Sequence, residues 1–464
     1  MKIAICTLGC KVNQYETQAM EQELLRRGHT LADFDGPADA YIVNTCTVTA
    51  VSDKKCRNII RRARKNARSA VVAVCGCYAQ TDPEAVAALG VDLVSGSAGR
   101  MDFLDRLEGL LQSRGEQVVE VDKALFRRDF ERLPAGGTAG RTRAMLKVED
   151  GCVNFCAYCI IPYARGPVRS LPLDEAAEQA RRLAREGYRE VVLTGIEISS
   201  WGQDLKTGQT LADLIESVCA AAPGLRVRLG SLEPRTVTED FCRRCAALPN
   251  LCPHFHLSLQ SGCDATLARM NRKYGAARYY ESVRLLREHF DRPGITTDLI
   301  VGFPGETQEE FAQTLAFLER CSFSAMHIFP YSRRPGTPAD AMPDQVPKGE
   351  KEDRARRAIA LAAKMERSWL ESQTGRTLPV LFEEERDGWW QGHAPNYALV
   401  RVKGEGLHNR LLDVEITGAE GDALIACVPL HAHASFNKAA ACASSRSVSP
   451  AKPSTTVEGC GSAL

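Results

Sequence analysis

Six strand-like runs separated by helix-like stretches follow one another between residues 144 and 330, and few folds accept that order. The runs are "AMLKVE" (144–149), "EVVLTG" (190–195), "LRVRLGS" (225–231), "HFHLSL" (254–259), "ITTDLIVG" (295–302) and "FSAMHIF" (323–329). Helical stretches such as "LDEAAEQARRLAREG" (173–187) lie between them. Strands joined through helices run parallel, so six consecutive units predict a partial barrel, a (β/α)8 relative lacking two units.

A second alternation precedes the first. "KIAIC" (2–6), "AYIVN" (40–44), "AVVAVC" (70–75) and "VDLVS" (91–95) predict a parallel α/β sheet. The Gly- and Arg-rich "RRDFERLPAGGTAGRTR" (127–143) reads as a linker. Beyond the Pro-rich "RRPGTPADAMPDQVP" (333–347), a charged helix leads to short runs, "LPVLFEE", "YALVRVK", "RLLDVEI" and "ALIACV", separated by Gly, Asn and Asp. That rhythm predicts a small closed β-barrel. The expected division is an α/β domain at 1–126, the linker 127–143, the partial barrel 144–347, a connecting helix 348–372, the β-barrel 373–432 and a disordered Ala- and Ser-rich tail 433–464.

Net charge is +1, so any polyanion site has to be a local patch. No apolar run approaches the ~18 residues that span a bilayer, and no leader-like segment precedes the first strand. A cytoplasmic protein without membrane partners is expected. Eighteen cysteines in a reducing compartment argue against a disulfide framework, and the clustered ones point to metal or to chemistry.

The densest cluster is "GCVNFCAYCIIP" (151–162), where Cys152, Cys156 and Cys159 follow the first barrel strand. Barrel enzymes build their sites at that end of the strands. Thiolates favour zinc or iron–sulfur clusters. Zinc wants a fourth ligand, and no His or Cys follows within the next 50 residues. Three cysteines on a four-iron cluster leave one iron open. Cys10, Cys46 and Cys77 each lie a few residues past a strand of the first domain, on the edge where such sheets bind ligands. Cys6 and Cys75 fall inside strands and Cys56 inside a helix, so they are assigned to packing. Cys77 is preferred over Cys75 because Gly76 frees it from the strand. Cys242, Cys245, Cys252 and His254 imitate a zinc spacing, but two of them are one helical turn apart and His254 opens a strand; zinc is not expected there.

The GCxxxCxYC motif in its βα setting resembles the radical S-adenosylmethionine (radical SAM) enzymes. That resemblance implies a [4Fe-4S] cluster on Cys152, Cys156 and Cys159, whose open iron chelates S-adenosylmethionine and whose electron cleaves it to a 5′-deoxyadenosyl radical. With three N-terminal cysteines and a small β-barrel, residues 1–432 are similar to the methylthiotransferases, and the β-barrel to their RNA-binding TRAM domain. "HLSLQSGCDATLARMNRKY" (256–274), "TTDLIVGFPGET" (296–307) and "FPYSRRPGTPA" (329–339) also carry the resemblance. It implies a second [4Fe-4S] cluster on Cys10, Cys46 and Cys77 that carries or activates sulfur. Two S-adenosylmethionine molecules are then used per product: one methylates sulfur at the second cluster, the other supplies the radical that attacks C2 of adenine.

"TLGCKVNQYE" (7–16) and "LTGIEISSWG" (193–202) are most similar to the branch acting on N6-threonylcarbamoyladenosine at position 37 of tRNA, although Glu197 stands where a histidine is expected. Alternatives are the same chemistry on isopentenyladenosine or a ribosomal-protein aspartate, and a non-enzymatic iron–sulfur RNA-binding protein. Implied partners are the tRNA anticodon stem-loop, an electron donor such as flavodoxin or ferredoxin, and a sulfur donor. No catalytic residue is expected beyond the cluster ligands. Gly195, Ser231, Gln260 and Asp298 are placed against S-adenosylmethionine by their position in the barrel. The turn "GFPGET" (302–307) offers backbone N–H groups to a ligand, or is a plain strand-to-helix turn. The helix at 53–68 holds eight basic residues and one acid, either a solvated face or a track for phosphates. Trp389, Trp390 and Tyr397 are expected in β-barrel loops, stacking on unpaired bases or, for one Trp, packed in the core. Removal of the β-barrel is expected to weaken tRNA binding and spare the remainder.

Overall fold

The computed structural model describes residues 1–66, 69–136 and 142–428. The expected disordered tail and the middle of the linker fall outside them. The first unit is a six-stranded parallel sheet of β1 (Lys2–Thr7), β2 (Thr30–Ala32), β3 (Ala40–Thr45), β4 (Val71–Gly76), β5 (Leu93–Ser95) and β6 (Val118–Glu120), in the order β2-β1-β3-β4-β5-β6. Helices α1 (Lys11–Arg26), α2 (Ala50–Asn66), α3 (Cys77–Thr81), α4 (Pro83–Ala87) and α5 (Arg100–Gln112) connect them. The central strands read as unbroken apolar runs because both faces are covered. One face packs Val43, Val72 and Val74 on Cys56 and Ile60; the other packs Ile5, Ile42 and Cys75 on Phe103 and Leu107. The sequence pattern missed β2 and β6, three-residue edge strands too short to show a period.

The second unit opens with β7 (Arg143–Lys147). The small antiparallel pair β8 (Glu149–Asp150) and β9 (Arg169–Ser170) then brackets the cysteine loop and α6 (Ile161–Arg165). Next come α7 (Leu173–Arg185), β10 (Glu190–Thr194), α8 (Leu211–Ala221), β11 (Arg226–Leu229), β12 (Ser231–Leu232), α9 (Glu239–Ala246), β13 (His254–Leu257), α10 (Asp264–Arg269), α11 (Ala276–His289), β14 (Gly294–Val301), α12 (Gln308–Cys321) and β15 (Ala325–Pro330). Every barrel pairing is parallel, β11-β10-β7 and β12-β13-β14-β15; the strand is interrupted at Gly230 between β11 and β12, and an isolated bridge joins Val227 to Leu251, just ahead of β13. Alternation along the strands does the sorting. Val191, Leu193, Val227, Leu229, Phe255 and Leu257 join the core under the helices. The intervening Glu190, Arg228, His254, His256, Asp298 and His327 face the lumen, which is therefore polar and charged. Among the described residues no helix is long and apolar enough to cross a membrane.

Helix α13 (Lys348–Glu371) leads to a closed five-stranded barrel of β16 (Thr377–Arg386), β17 (Trp389–His393), β18 (Leu399–Val402), β19 (Leu411–Glu420) and β20 (Ala423–Cys427), ordered β16-β17-β18-β20-β19. Of the aromatic residues expected in its loops, only Tyr397 lies in one, between β17 and β18. Trp389 and Trp390 begin strand β17, Trp390 is buried in the barrel core with Phe382 and Val400, and Trp389 carries the Lys403 ammonium 4.1 Å from its ring centroid. Tyr397 is stacked between the rings of His254 and His393, at 4.6 and 4.7 Å, with the Arg228 guanidinium also 4.7 Å from its centroid. Neither Trp390 nor Tyr397 keeps a free face for a base.

The same loop plugs the partial barrel at the N-terminal ends of its strands. Arg226 donates to the carbonyls of Pro379 and His393 at 3.0 and 3.2 Å, and Arg228 to that of Pro395 at 2.8 Å. Gly294 is obligatory there, because a Cβ would collide with the Asn396 carbonyl. Ending the chain near residue 372 would strip two buried arginines of these acceptors and open the base of the lumen. Such a truncation is therefore expected to lower the thermal midpoint and solubility of the remaining chain, read by differential scanning fluorimetry, rather than to spare it.

Candidate functional site

The cysteine loop is held by its own backbone. Cys152 N–H donates to the Gly166 carbonyl at 3.0 Å, Cys159 N–H to that of Cys156 at 2.9 Å, and Ala157 N–H to that of Met270 at 2.9 Å. Asn271 Nδ2 reaches the Phe155 carbonyl at 2.9 Å, and the neighbouring Arg272 places Nη1 3.1 Å from Cys156 Sγ. The "MNRKY" segment thus tethers the loop and supplies a cation to one of its sulfurs. Burial pushes the Cys159 thiol up to about 12 and Cys152 higher still, with each thiol adding to the charge problem of its neighbours. Such thiols lose their protons to a metal centre rather than to water.

Cys10, Cys46 and Cys77 come together from three strand ends. A Cβ at Gly9, whose φ is +112°, would lie 2.8 Å from Cys46 Cβ, so only glycine admits this approach. Cys46 feels the charges of both Cys10 and Cys77, and burial, first among the causes, holds the Cys46 and Cys77 thiols above their usual range. Gly76, at φ +101°, turns the chain out of β4 and into α3, which begins at Cys77. Cys75 stays in the strand and packs on the opposite face with Leu93 and Phe103. Cys56, assigned above to packing, also braces the group: its sulfur accepts the Cys46 N–H at 3.4 Å and its thiol donates to the Cys46 carbonyl at 3.3 Å.

Among the described residues no three His, Cys, Asp or Glu side chains converge on a single ion. A zinc site would need thiolates ~2.3 Å from one metal. Two open groups of three thiols fit a larger, multi-iron centre, whose ligands attach to separate irons. Cys242 and Cys245 lie buried along α9, while His254 bonds Thr296 and stacks on Tyr397, so the zinc-like spacing makes no site.

Between the triads lies a buried ionic network that the sequence did not reveal. Arg165, six residues after Cys159, donates Nε–H to Cys77 Sγ at 3.2 Å and Nη2–H to Asn13 Oδ1 at 2.6 Å. Its Nη1 pairs with Glu16, on the helix that starts after Cys10. Glu16 also meets Arg100 at 2.8 Å and Lys147 at 3.3 Å, all fully buried, and Lys147 meets Asp150 at 3.3 Å. Burial opposes the charge on Glu16, yet Arg100, Arg165 and Lys147 hold its carboxyl well below the usual range. Its contribution to stability is thus complete above the ordinary carboxylate pKa and drains away as pH falls toward the depressed folded value. Glu16→Gln leaves three buried cations short of a partner and is expected to cost about 3–5 kcal/mol, measured by urea denaturation at neutral pH, with most of the difference from wild type vanishing in acid.

Of the four positions placed against S-adenosylmethionine, Asp298 lies in the middle of β14 rather than at a strand end. Gly195 follows β10 at a point where a Cβ would lie 2.7 Å from Glu149 Oε2. Ser231 opens β12, and Gln260, at φ +70°, bridges Leu299 beside Asp298. Asp298 faces His256 at 3.4 Å, and its Oδ1 is buried without a partner. Glu197 caps its own short turn, accepting from Ser199 N–H at 3.0 Å and Ser200 Oγ–H at 2.5 Å, and burial raises its pKa. Its N–H bonds Glu149, whose fully buried carboxyl is pushed well up by desolvation. Glu149, Arg165, Arg272 and Glu16 were missed; a lone buried charge has no period, and only its nearness to a cysteine motif marked it.

Residues 146–318 match the Radical SAM superfamily, and residues 2–96 match the "Uncharacterized protein family UPF0004". The Bacillus subtilis (strain 168) threonylcarbamoyladenosine tRNA methylthiotransferase MtaB is 38% identical over 90% of this chain and 94% of its own. The chain belongs to the MtaB-type methylthiotransferases. A Thermotoga maritima MtaB is 40% identical over 76% of the chain and 80% of its own, and the Pelotomaculum thermopropionicum tRNA-2-methylthio-N(6)-dimethylallyladenosine synthase is 33% identical over 90% and 95%. The radical SAM methyltransferase TsrM of Kitasatospora setae shares the fold, with a TM-score of 0.54 at 19% identity over 73% of this chain and 75% of that one. As an MtaB-type methylthiotransferase the protein is a sulfur-inserting transferase. Its radical SAM match implies S-adenosylmethionine and a [4Fe-4S] cluster. The donor set fits such a cluster: three buried or half-buried thiols, a cation on one sulfur, and a polar lumen with the buried, unpartnered Asp298 Oδ1.

Proposed function

We propose that this methylthiotransferase converts N6-threonylcarbamoyladenosine at position 37 of tRNA into its 2-methylthio form. Cys152, Cys156 and Cys159 would hold one [4Fe-4S] cluster and Cys10, Cys46 and Cys77 a second. When bound, the first supplies the electron that turns S-adenosylmethionine into a radical source, and the second carries the sulfur to be inserted. The chemistry needs both because C2 of adenine has no acidic proton for a base to take. The observation that carries this reading is the pair of cysteine triads, with Arg165, six residues after Cys159, buried against Cys77 and Glu16 of the first unit.

In this reading Gly195, Ser231, Gln260 and Asp298 hold S-adenosylmethionine over the lumen, and Arg272 steadies Cys156 while screening its thiolate. The Tyr397 plug closes the base of the lumen to water. On α2, Lys54, Arg61 and Lys65 are exposed and would track anticodon-stem phosphates near Cys46, while Ile59, Ile60 and Ala63 anchor the opposite face. Because Trp390 and Tyr397 are committed to packing, this helix becomes the preferred RNA surface over the aromatic segment. The enzyme would work in the cytoplasm with a flavodoxin- or ferredoxin-like reductant and a separate sulfur donor. Nucleoside analysis of tRNA from a deletion strain tests the substrate. Loss of the 2-methylthio derivative of N6-threonylcarbamoyladenosine, restored by the gene, is expected; loss of the dimethylallyl derivative instead would overturn the assignment.

A further inference from the structure

Lys11 follows Cys10 at the start of α1, and its side chain lies near residues of the partial barrel. Its ammonium stands within electrostatic reach of Arg143, Arg228 and Glu190 as well as Cys10, and it acts in turn on His254 and His327. The residue is half-buried. Each arginine around it is already matched. Arg228 is 2.7 Å from Glu190, Arg226 shares the same carboxylate at 2.5 Å, and Arg143 is 2.5 Å from Glu383. Lys11 Nζ has no hydrogen bond or ion pair among the described residues. Two further polar atoms on the lumen side, His327 Nε2 and Asp298 Oδ1, are buried without a partner.

A half-buried ammonium without a partner, set beside two arginines, lacks one small anion. We propose that Lys11 is the subsite for a carboxylate carried by an amino-acid group inside the lumen, namely the threonyl carboxylate of the substrate base. This rests on the substrate reading given above and adds to it the residue that selects the acid. Two molecules of the reaction bring an amino-acid carboxylate, the modified base and S-adenosylmethionine. Position favours the base. Lys11 belongs to the Cys10 side and neighbours Glu190 and Arg143, which begin their strands, whereas Cys152, Cys156 and Cys159 stand at the opposite, C-terminal ends. A dimethylallyl group, which has no charge, would leave the ammonium unmatched, so the same residue would discriminate between the two adenosine substrates.

The test uses the reconstituted full chain and two anticodon stem-loop RNAs, one carrying N6-threonylcarbamoyladenosine and one its neutral methyl ester. Wild type is expected to bind the acid roughly ten- to a hundred-fold more tightly than the ester, the range of one charged hydrogen bond. Lys11→Gln should bind both RNAs alike, near the ester's affinity, and Lys11→Arg should regain part of the preference. Iron content and the visible spectrum of Lys11→Gln must match wild type, which separates lost recognition from a lost neighbouring Cys10 centre. A Lys11→Gln protein that keeps the acid-over-ester preference overturns the inference. Weakened S-adenosylmethionine binding, by equilibrium dialysis without RNA and with that preference intact, would overturn it in favour of the other carboxylate. Wild type that binds neither RNA would instead overturn the substrate reading.

Discussion

Cys152→Ala is expected to remove roughly half the iron of the reconstituted protein and all release of 5′-deoxyadenosine, since each four-iron centre takes its own set of thiolates. No nearby thiol replaces it. Cys156 and Cys159 are fixed by backbone bonds within a short, tethered loop, and Cys263 is turned aside, donating to Gln313 Oε1 at 3.3 Å. The cost is not one of folding. Cys152 is partly exposed and its sulfur accepts only the Asn154 N–H, at 3.5 Å, so Cys152→Ala should nearly keep its thermal midpoint in the apo form while losing the centre. Iron assay, anaerobic chromatography for 5′-deoxyadenosine and calorimetry of the apo protein check the three parts together. A variant without Cys152, Cys156 and Cys159 that still releases 5′-deoxyadenosine would end the radical reading.

The loop that holds these cysteines shows what a sequence can and cannot convey. Spacing and position after a strand were enough to mark Cys152, Cys156 and Cys159, because both are local. The long apolar strands of both sheets were legible for the same reason, whereas β2 and β6 were not, at three residues each. Glu16, Arg100, Lys147 and Arg165 come from four separate elements and meet only when the first sheet docks on the partial barrel. Their charge made each look like a surface residue, and the network that neutralises them is a tertiary fact. Trp390 takes the core position left open for one Trp, and Tyr397 lies in the expected loop but packs on His254 and His393. Both Trp residues belong to β17 rather than a loop, and the partners of Tyr397 in a neighbouring unit are a tertiary fact.

Cys46→Ala is expected to abolish methylthio product while 5′-deoxyadenosine release continues, because sulfur supply and radical generation are assigned to different triads. Cys10→Ala and Cys77→Ala should behave alike, Cys77→Ala with a further penalty from the Arg165 Nε–H left without its sulfur acceptor. Cys56 separates bracing from ligation. Serine at this position retains a donor and an acceptor for the Cys46 backbone, so Cys56→Ser should keep most product, whereas Cys56→Ala leaves the Cys46 N–H and carbonyl unmatched and should lose part of it together with some iron. Cys75→Ala should keep the product, since Cys75 packs among Leu93 and Phe103 and truncation there costs only packing. The contrast is read on one anticodon stem-loop by mass spectrometry of its nucleosides, with 5′-deoxyadenosine measured in the same reactions. Product lost in Cys75→Ala and kept in Cys77→Ala would reverse the assignment of the CGC pair, and product kept in Cys46→Ala would remove the second centre from the reaction altogether.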